Sequence, residues 1–171
     1  RFFTFYPSIL FYTEKQVIMF QMEEYKMQNL NLLIKELISL PTETEWLELK
    51  HNNFDPKMIG SDISALANSA AYRGKNKAYM IWGINNENHD IVGTNYNRFS
   101  KLVHGQEIES WLKNTVSKNA DFDFFDTEIN GKKLVVLIIQ KASGQPVTFK
   151  KEPFIRIGSY TKSLRDYPSM E

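Results

Sequence analysis

Apolar residues recur at three- and four-residue spacing from Leu30 to Leu40, through Leu33, Ile34, Leu37 and Ile38, the pattern of a helix with one buried stripe. Pro41 ends it, because its ring and missing N–H cannot continue the hydrogen-bond ladder. The next segment, Trp46-Leu47-Glu48-Leu49-Lys50, alternates with period two. This predicts a half-buried strand with Leu47 and Leu49 facing the core and Trp46, Glu48 and Lys50 on the other side.

Asp55-Pro56 is a strong helix start, a carboxylate cap followed by proline at the first helical position. Ile59, Ile63, Leu66, Ala67 and Ala70 then form one apolar face, while Ser61, Asp62, Ser64 and Asn68 fall on the rest of the cylinder. Small residues from Ala65 to Ala71 allow close packing on a sheet, and Arg73-Gly74 predicts the end. Ala78 to Ile84 reads as a buried strand, with Ile91-Val92 as a short hairpin partner across the turn-rich Asn85 to Asp90. A further amphipathic helix spans Gln106 to Val116, with Ile108, Trp111, Leu112 and Val116 inward. Asp121 to Ile129, Lys133 to Gln140 and Pro146 to Ile157 read as three more strands, and Asn130-Gly131 is the clearest hairpin signal in the chain. The elements together predict an α+β fold, a mixed β-sheet with about three packing helices in a single domain.

Ahead of this pattern, residues 2–20 are unusually apolar and aromatic, interrupted by Pro7, Glu14 and Lys15. The uncharged run is shorter than the ~20 residues of a spanning helix, and no signal-peptide cleavage site follows it. We therefore expect residues 1–22 to be an apolar extension, a strand or helix packed on the body or on a neighbour, and residues 23–171 to be the domain proper. Since the chain starts at Arg1, the numbering is expected to begin inside a longer product or after a cleavage. The chain has no cysteine, which removes disulfides, thiolate metal sites and a cysteine nucleophile and fits a cytoplasmic setting. Net charge is only +1, so any affinity for nucleic acid must come from clustering of cations and not from an overall excess.

Familiar catalytic patterns are missing. Gly74-Lys75 and Gly131-Lys132 are not followed by serine or threonine, and Ser69 and Asp126 stand where a phosphate loop needs its first glycine. There is no Gly-x-Gly-x-x-Gly run, no nucleophile elbow around Gly158-Ser159, and no helical metal spacing among His51, His89 and His104.

The order of motifs is more informative. An acidic strand, Glu43-Thr44-Glu45-Trp46-Leu47-Glu48-Leu49-Lys50, precedes Ile59-Gly60 and Ile63-Ser64-Ala65-Leu66-Ala67-Asn68-Ser69-Ala70. Then come Tyr79-Met80-Ile81-Trp82-Gly83-Ile84 and Ile91-Val92-Gly93-Thr94. This succession, from about Leu30 to Ser163, resembles the Schlafen AlbA-like domain of bacterial transcriptional regulators and animal Schlafen proteins. The resemblance implies an α+β fold and a role on nucleic acid, DNA before RNA.

In Schlafen relatives with ribonuclease activity, two glutamates five residues apart and a later carboxylate carry the chemistry. By motif these fall on Glu43, Glu48 and Asn85, with Leu49 in place of a phenylalanine and Lys50 retained. An amide at the third position weakens a site for Mg²⁺ or Mn²⁺, so the expectation is a binding module without catalytic residues and without a cofactor. A metal-dependent nuclease, degenerate or active, on Glu43, Glu48 and Asn85 is the alternative; Asp90 lies nearby in sequence, but its turn position gives no ground for counting it as a ligand. The expected phosphate-binding residues are Lys50, Arg73, Lys75, Lys77, Lys150, Lys151, Arg156 and Lys162, with Arg165 nearby in sequence and Tyr72, Tyr160 and Trp46 available for stacking. Arg156-Ile157-Gly158-Ser159 resembles the family's closing arginine–glycine segment. A protein-interaction module, a homodimer through the apolar N-terminal stretch, stays open beside these.

Overall fold

The computed structural model describes residues 13–41 and 44–170. Helix α1 (Glu14–Ile38) opens on a capping box between Thr13 and Gln16 and closes at Ser39, whose N–H reaches the Glu36 and Leu37 carbonyls. It begins well before the periodic segment at Leu30 and runs without a break past residue 22. Strand β1 (Leu47–Lys50) leads into α2 (Pro56–Tyr72), where the Asp55 carboxylate accepts from the Met58 N–H at 2.8 Å as the cap pattern predicts. Gly74 follows at φ +66°, the left-handed turn that glycine permits after a helix. Then come β2 (Lys77–Trp82), α3 (Ile108–Thr115), β3 (Phe122–Ile129) and β4 (Lys132–Gln140), the last two joined through Asn130-Gly131.

These strands form one mixed sheet in the order β1-β2-β4-β3, with β1 parallel to β2 and the other pairs antiparallel. A second, small sheet follows: β5 (Thr148–Phe149), β6 (Glu152–Ile157) and β7 (Tyr160–Ser163), antiparallel throughout. Two single 3₁₀ turns, Leu164–Asp166 and Pro168–Met170, end the chain. The segment expected as one strand from Pro146 to Ile157 is thus a hairpin. Lys150 and Lys151 take positive φ (50° and 70°) at its turn, which reverses the chain without glycine. Ile91 makes a single bridge to Ile84 and no regular strand.

The main sheet is covered on both faces. Leu30, Ile34 and Leu37 of α1 pack on Leu47, Leu49, Ile81, Leu134 and Val136. On the opposite face, Ile59, Ile63, Leu66, Ala67 and Ala70 of α2 meet Met80, Trp82, Leu137 and Ile139. Covering both faces corrects the half-buried reading of β1: all four of its residues are buried, Glu48 and Lys50 included. The alternation is as expected, but the far side faces a second layer of protein and not water.

That layer packs on α2, which is buried on its polar side as well, a feature the apolar stripe alone does not reveal. Ser64 Oγ donates to the Val147 carbonyl (2.7 Å) and accepts from the Phe154 N–H (3.0 Å). The Asn68 amide donates to the Val147 and Phe154 carbonyls (2.9 and 2.8 Å) and accepts from the Val147 N–H (2.8 Å). Ser69 Oγ accepts from the Arg156 N–H at 2.9 Å. Short polar side chains here do what a neighbouring strand would, saturating the backbone of the small sheet. One glycine sets how close the layers come. A Cβ at Gly60 would fall 2.3 Å from the Phe149 ring of β5. Gly60→Ala should therefore destabilise the fold by about 1–3 kcal/mol through overpacking. Urea unfolding of Gly60→Ala alone and with Phe149→Leu checks this: the smaller side chain should restore part of the loss, and equal losses in both would place the strain elsewhere.

Candidate nucleic-acid interface

Charge is concentrated where the two sheets meet across α2. Glu48 and Lys50 point from the same face of β1, two residues apart, and Lys50 Nζ donates to Glu48 Oε1 at 2.6 Å. The other Glu48 oxygen accepts from Arg156 Nη1 of β6. Lys50 Nζ also lies 3.6 Å from Asp62 Oδ2 on α2, and Thr161 of β7 donates to Asp62 Oδ1 at 2.9 Å. Two cations face two carboxylates, and none of the four residues is more than 9% exposed. Arg156 Nε and Nη2 are buried with no hydrogen-bond partner among the described residues. Burial pushes the Asp62 carboxyl above its ordinary range, Lys50 opposes that shift, and the Glu48 charge adds to it.

This network decides the fate of the residues aligned with the nuclease pattern. Glu43 lies outside the described residues. Both Glu48 oxygens are taken by cations. The Asn85 side-chain oxygen accepts from the Glu87 and Asn88 N–H groups, so it builds its own turn, and Asp90 accepts from the Asn88 amide. Among the described residues no cluster of three or more His, Asp or Glu could hold a metal ion. Among the described residues, a metal cation at Glu48 would have to displace a lysine and an arginine that already neutralise it. Of the three histidines, His89 Nδ1 lies 3.2 Å from the Ile38 carbonyl oxygen, His104 stacks on Trp111, and His51 is exposed.

The surface cations group around the C-terminal end of α2. Arg73 grips Glu45 with two hydrogen bonds of 2.6 and 2.8 Å and lies over the Tyr72 ring. That grip holds Glu45 below the usual carboxylate range, helped by the Gly158 N–H from the β6–β7 turn. Lys75 Nζ sits 5.2 Å from the centre of the Trp46 ring, which meets Tyr79 edge-on. Because β1 and β2 are parallel with Leu47 beside Tyr79, the strand starts share one edge, which brings Lys77 to the same rim. Lys141, absent from the expected set, joins them there through its hydrogen bond to Asn76. Tyr72 and Tyr160 are 49% and 68% exposed, and Lys162 lies over the Tyr160 ring.

The eight expected cations therefore do not form one group. Lys50 and Arg156 are buried. Arg73, Lys75 and Lys77 share the rim beside the β6–β7 turn, and Lys162 stands on the exposed face of β7. Lys150 and Lys151 occupy the turn at the other end of β6, where Lys150 meets Trp111 and Thr115. A six-residue strand makes that separation about 17 Å. Arg165 turns back to Glu152.

The chain is an α+β domain with its main sheet between α1 and α2, a small sheet beyond α2, and a buried charge cluster between the two sheets. The chain matches the family described as Schlafen, AlbA_2 over residues 43–165, and it belongs to that family. Among solved structures, it is similar to the DIP2311 protein of Corynebacterium diphtheriae, with 12% identity over 81% of this chain and a TM-score of 0.46. The chain spans only 27% of that protein's length. It is also similar to the N-terminal domain of a RecG-related protein from Nitrosomonas europaea, with 20% identity over 76% of this chain and 89% of that one, again at a TM-score of 0.46. No curated protein matches the chain.

Folded Asp62 keeps its proton to higher pH than the unfolded chain does, so its contribution to stability falls as pH rises upward from 3.8. Asp62→Asn removes that fall. Urea unfolding at pH 4 and pH 7 should show the variant gaining on the wild type toward pH 7. A difference that shrinks over that interval would mean that Lys50 holds Asp62 ionised.

Proposed function

We propose that this domain binds nucleic acid, DNA before RNA, as the cytoplasmic binding module of a transcriptional regulator. The observation that carries the reading is the rim of Arg73, Lys75 and Lys77 beside Trp46, Tyr72 and Tyr160, in a chain of the Schlafen AlbA_2 family. Cations of this kind neutralise phosphates and release counterions, and exposed aromatic faces stack on bases regardless of sequence. Lys162 extends the rim along β7. Lys50 and Arg156 act from inside, holding β1, α2 and β6 in the register that forms the rim. Lys150 and Lys151 lie beyond a short oligonucleotide and would touch only a longer strand. Metal-dependent cleavage is not part of this reading, because Glu48 is committed to Lys50 and Arg156.

Fluorescence anisotropy with short single- and double-stranded DNA and RNA, at two salt concentrations, tests it. Replacing Arg73, Lys75 and Lys77 by alanine should weaken binding and lower the slope of log affinity against log salt by roughly 0.9 for each phosphate that is no longer neutralised. Tyr72→Ala should cost about 1–3 kcal/mol if a base stacks there. Lys150→Glu with Lys151→Glu should leave a short oligonucleotide nearly unaffected. An unchanged salt slope in the triple variant removes the rim from the account. Incubating the same nucleic acids with Mn²⁺ should leave them intact, and cleavage that disappears in Glu48→Gln would restore the nuclease reading.

A further inference from the structure

Residues 14–29 of α1 are exposed on every side, an overhang of about 24 Å ahead of Leu30, the first residue of the helix to be buried on the sheet. Ile18, Met19, Phe20, Met22, Tyr25 and Met27 are each between 39% and 67% exposed and point in different directions around the helix. Seven of its sixteen residues are apolar and exposed while the other nine are charged or amide side chains, so the helix leaves large apolar side chains in water with no face of its own domain to bury them on. Beside its base lies a mainly apolar groove of about 700 Å³, lined by Met27, Leu30 and Leu33 with Phe125 of β3 and Ile138 of β4, and with Glu23 and Lys26 of the overhang on its wall. Phe125 itself is 41% exposed.

We propose that two copies of the chain pair through this region, each laying the overhang of its α1 into the groove of the other. Overhang and groove belong to one face of one chain, so a twofold axis satisfies both at once, the self-complementary arrangement of closed dimers. A stable dimer buries about 800 Å² per partner, and the overhang with its six large apolar side chains is on the order of that size. The charges suit a second copy as well. Glu14, Glu23 and Glu24 alternate with Lys15 and Lys26, so two overhangs can match opposite signs. A membrane surface would select a basic polar face, and this helix lacks one. The proposal stands apart from nucleic-acid binding, since the rim around Arg73 includes no residue of α1.

Light scattering on the whole chain at micromolar concentration should give the mass of two chains, and Phe20→Glu and Phe125→Glu should each return it to one with unchanged far-ultraviolet circular dichroism. The chain has no cysteine, so mixing tagged Phe20→Cys with untagged Phe125→Cys should yield a mixed covalent dimer under oxidation. Deletion of residues 1–12 should leave the dimer intact. A monomeric wild type, a dimer that survives both glutamate substitutions, absence of the mixed cross-link, or a monomer after that deletion would each overturn the proposal.

Discussion

The rest of the structure hangs on one buried ion pair, Glu48 with Arg156. Its partners sit on different sheets, β1 and β6, 108 residues apart in the chain. Removing one member of such a pair strands the other and costs about 3–5 kcal/mol. Lys50 joins the Glu48 carboxylate and lies against Asp62, to which Thr161 donates, so β1, α2, β6 and β7 are linked by polar contacts as well as by packing. The β6–β7 turn begins two residues beyond Arg156, and there Gly158 meets Glu45, which in turn holds Arg73. Interior electrostatics and the surface rim are consecutive links of one chain of interactions.

Helix α2 makes this possible by having two functional faces. Its aliphatic and alanine positions lie close on the main sheet, while Asp62, Ser64, Asn68 and Ser69 saturate the small sheet. The first face supplies non-directional burial, and the second supplies direction and register. Gly60 lets Phe149 approach, which seats β5 on the same helix. The rim forms where this helix stops, because Tyr72, Arg73 and Lys75 occupy its end beside the parallel start of β1 and β2.

Much of this was legible from residue pattern. The Asp55-Pro56 start, the Gly74 end, the alternation in β1 and the Asn130-Gly131 hairpin are local signals, and each stands where expected. The order of motifs pointed to the Schlafen AlbA family, and residues 43–165 match it. Burial of the polar side of α2 was not legible, because periodicity reports which face is apolar and not whether the polar face is covered. For the same reason Lys50 and Arg156 read as surface cations: a charged residue betrays its buried partner only when the fold brings it there. Four polar residues on one face of an alanine-rich helix were the available signal. The overhang was half visible, since residues 14–29 mix seven apolar residues with nine charged or amide ones in no single stripe, which hides a helix from any search for amphipathic spacing.

The central claim is that nucleic acid meets the protein at the rim around Arg73 while the Glu48–Arg156 pair remains closed inside. Backbone amide NMR during titration with a short DNA addresses both halves. The account requires shifts at Arg73 to Lys77 and from Gly158 to Lys162, with Glu48 and Lys50 unmoved. Shifts centred on Glu48, or confined to the Lys150-Lys151 turn, would contradict it.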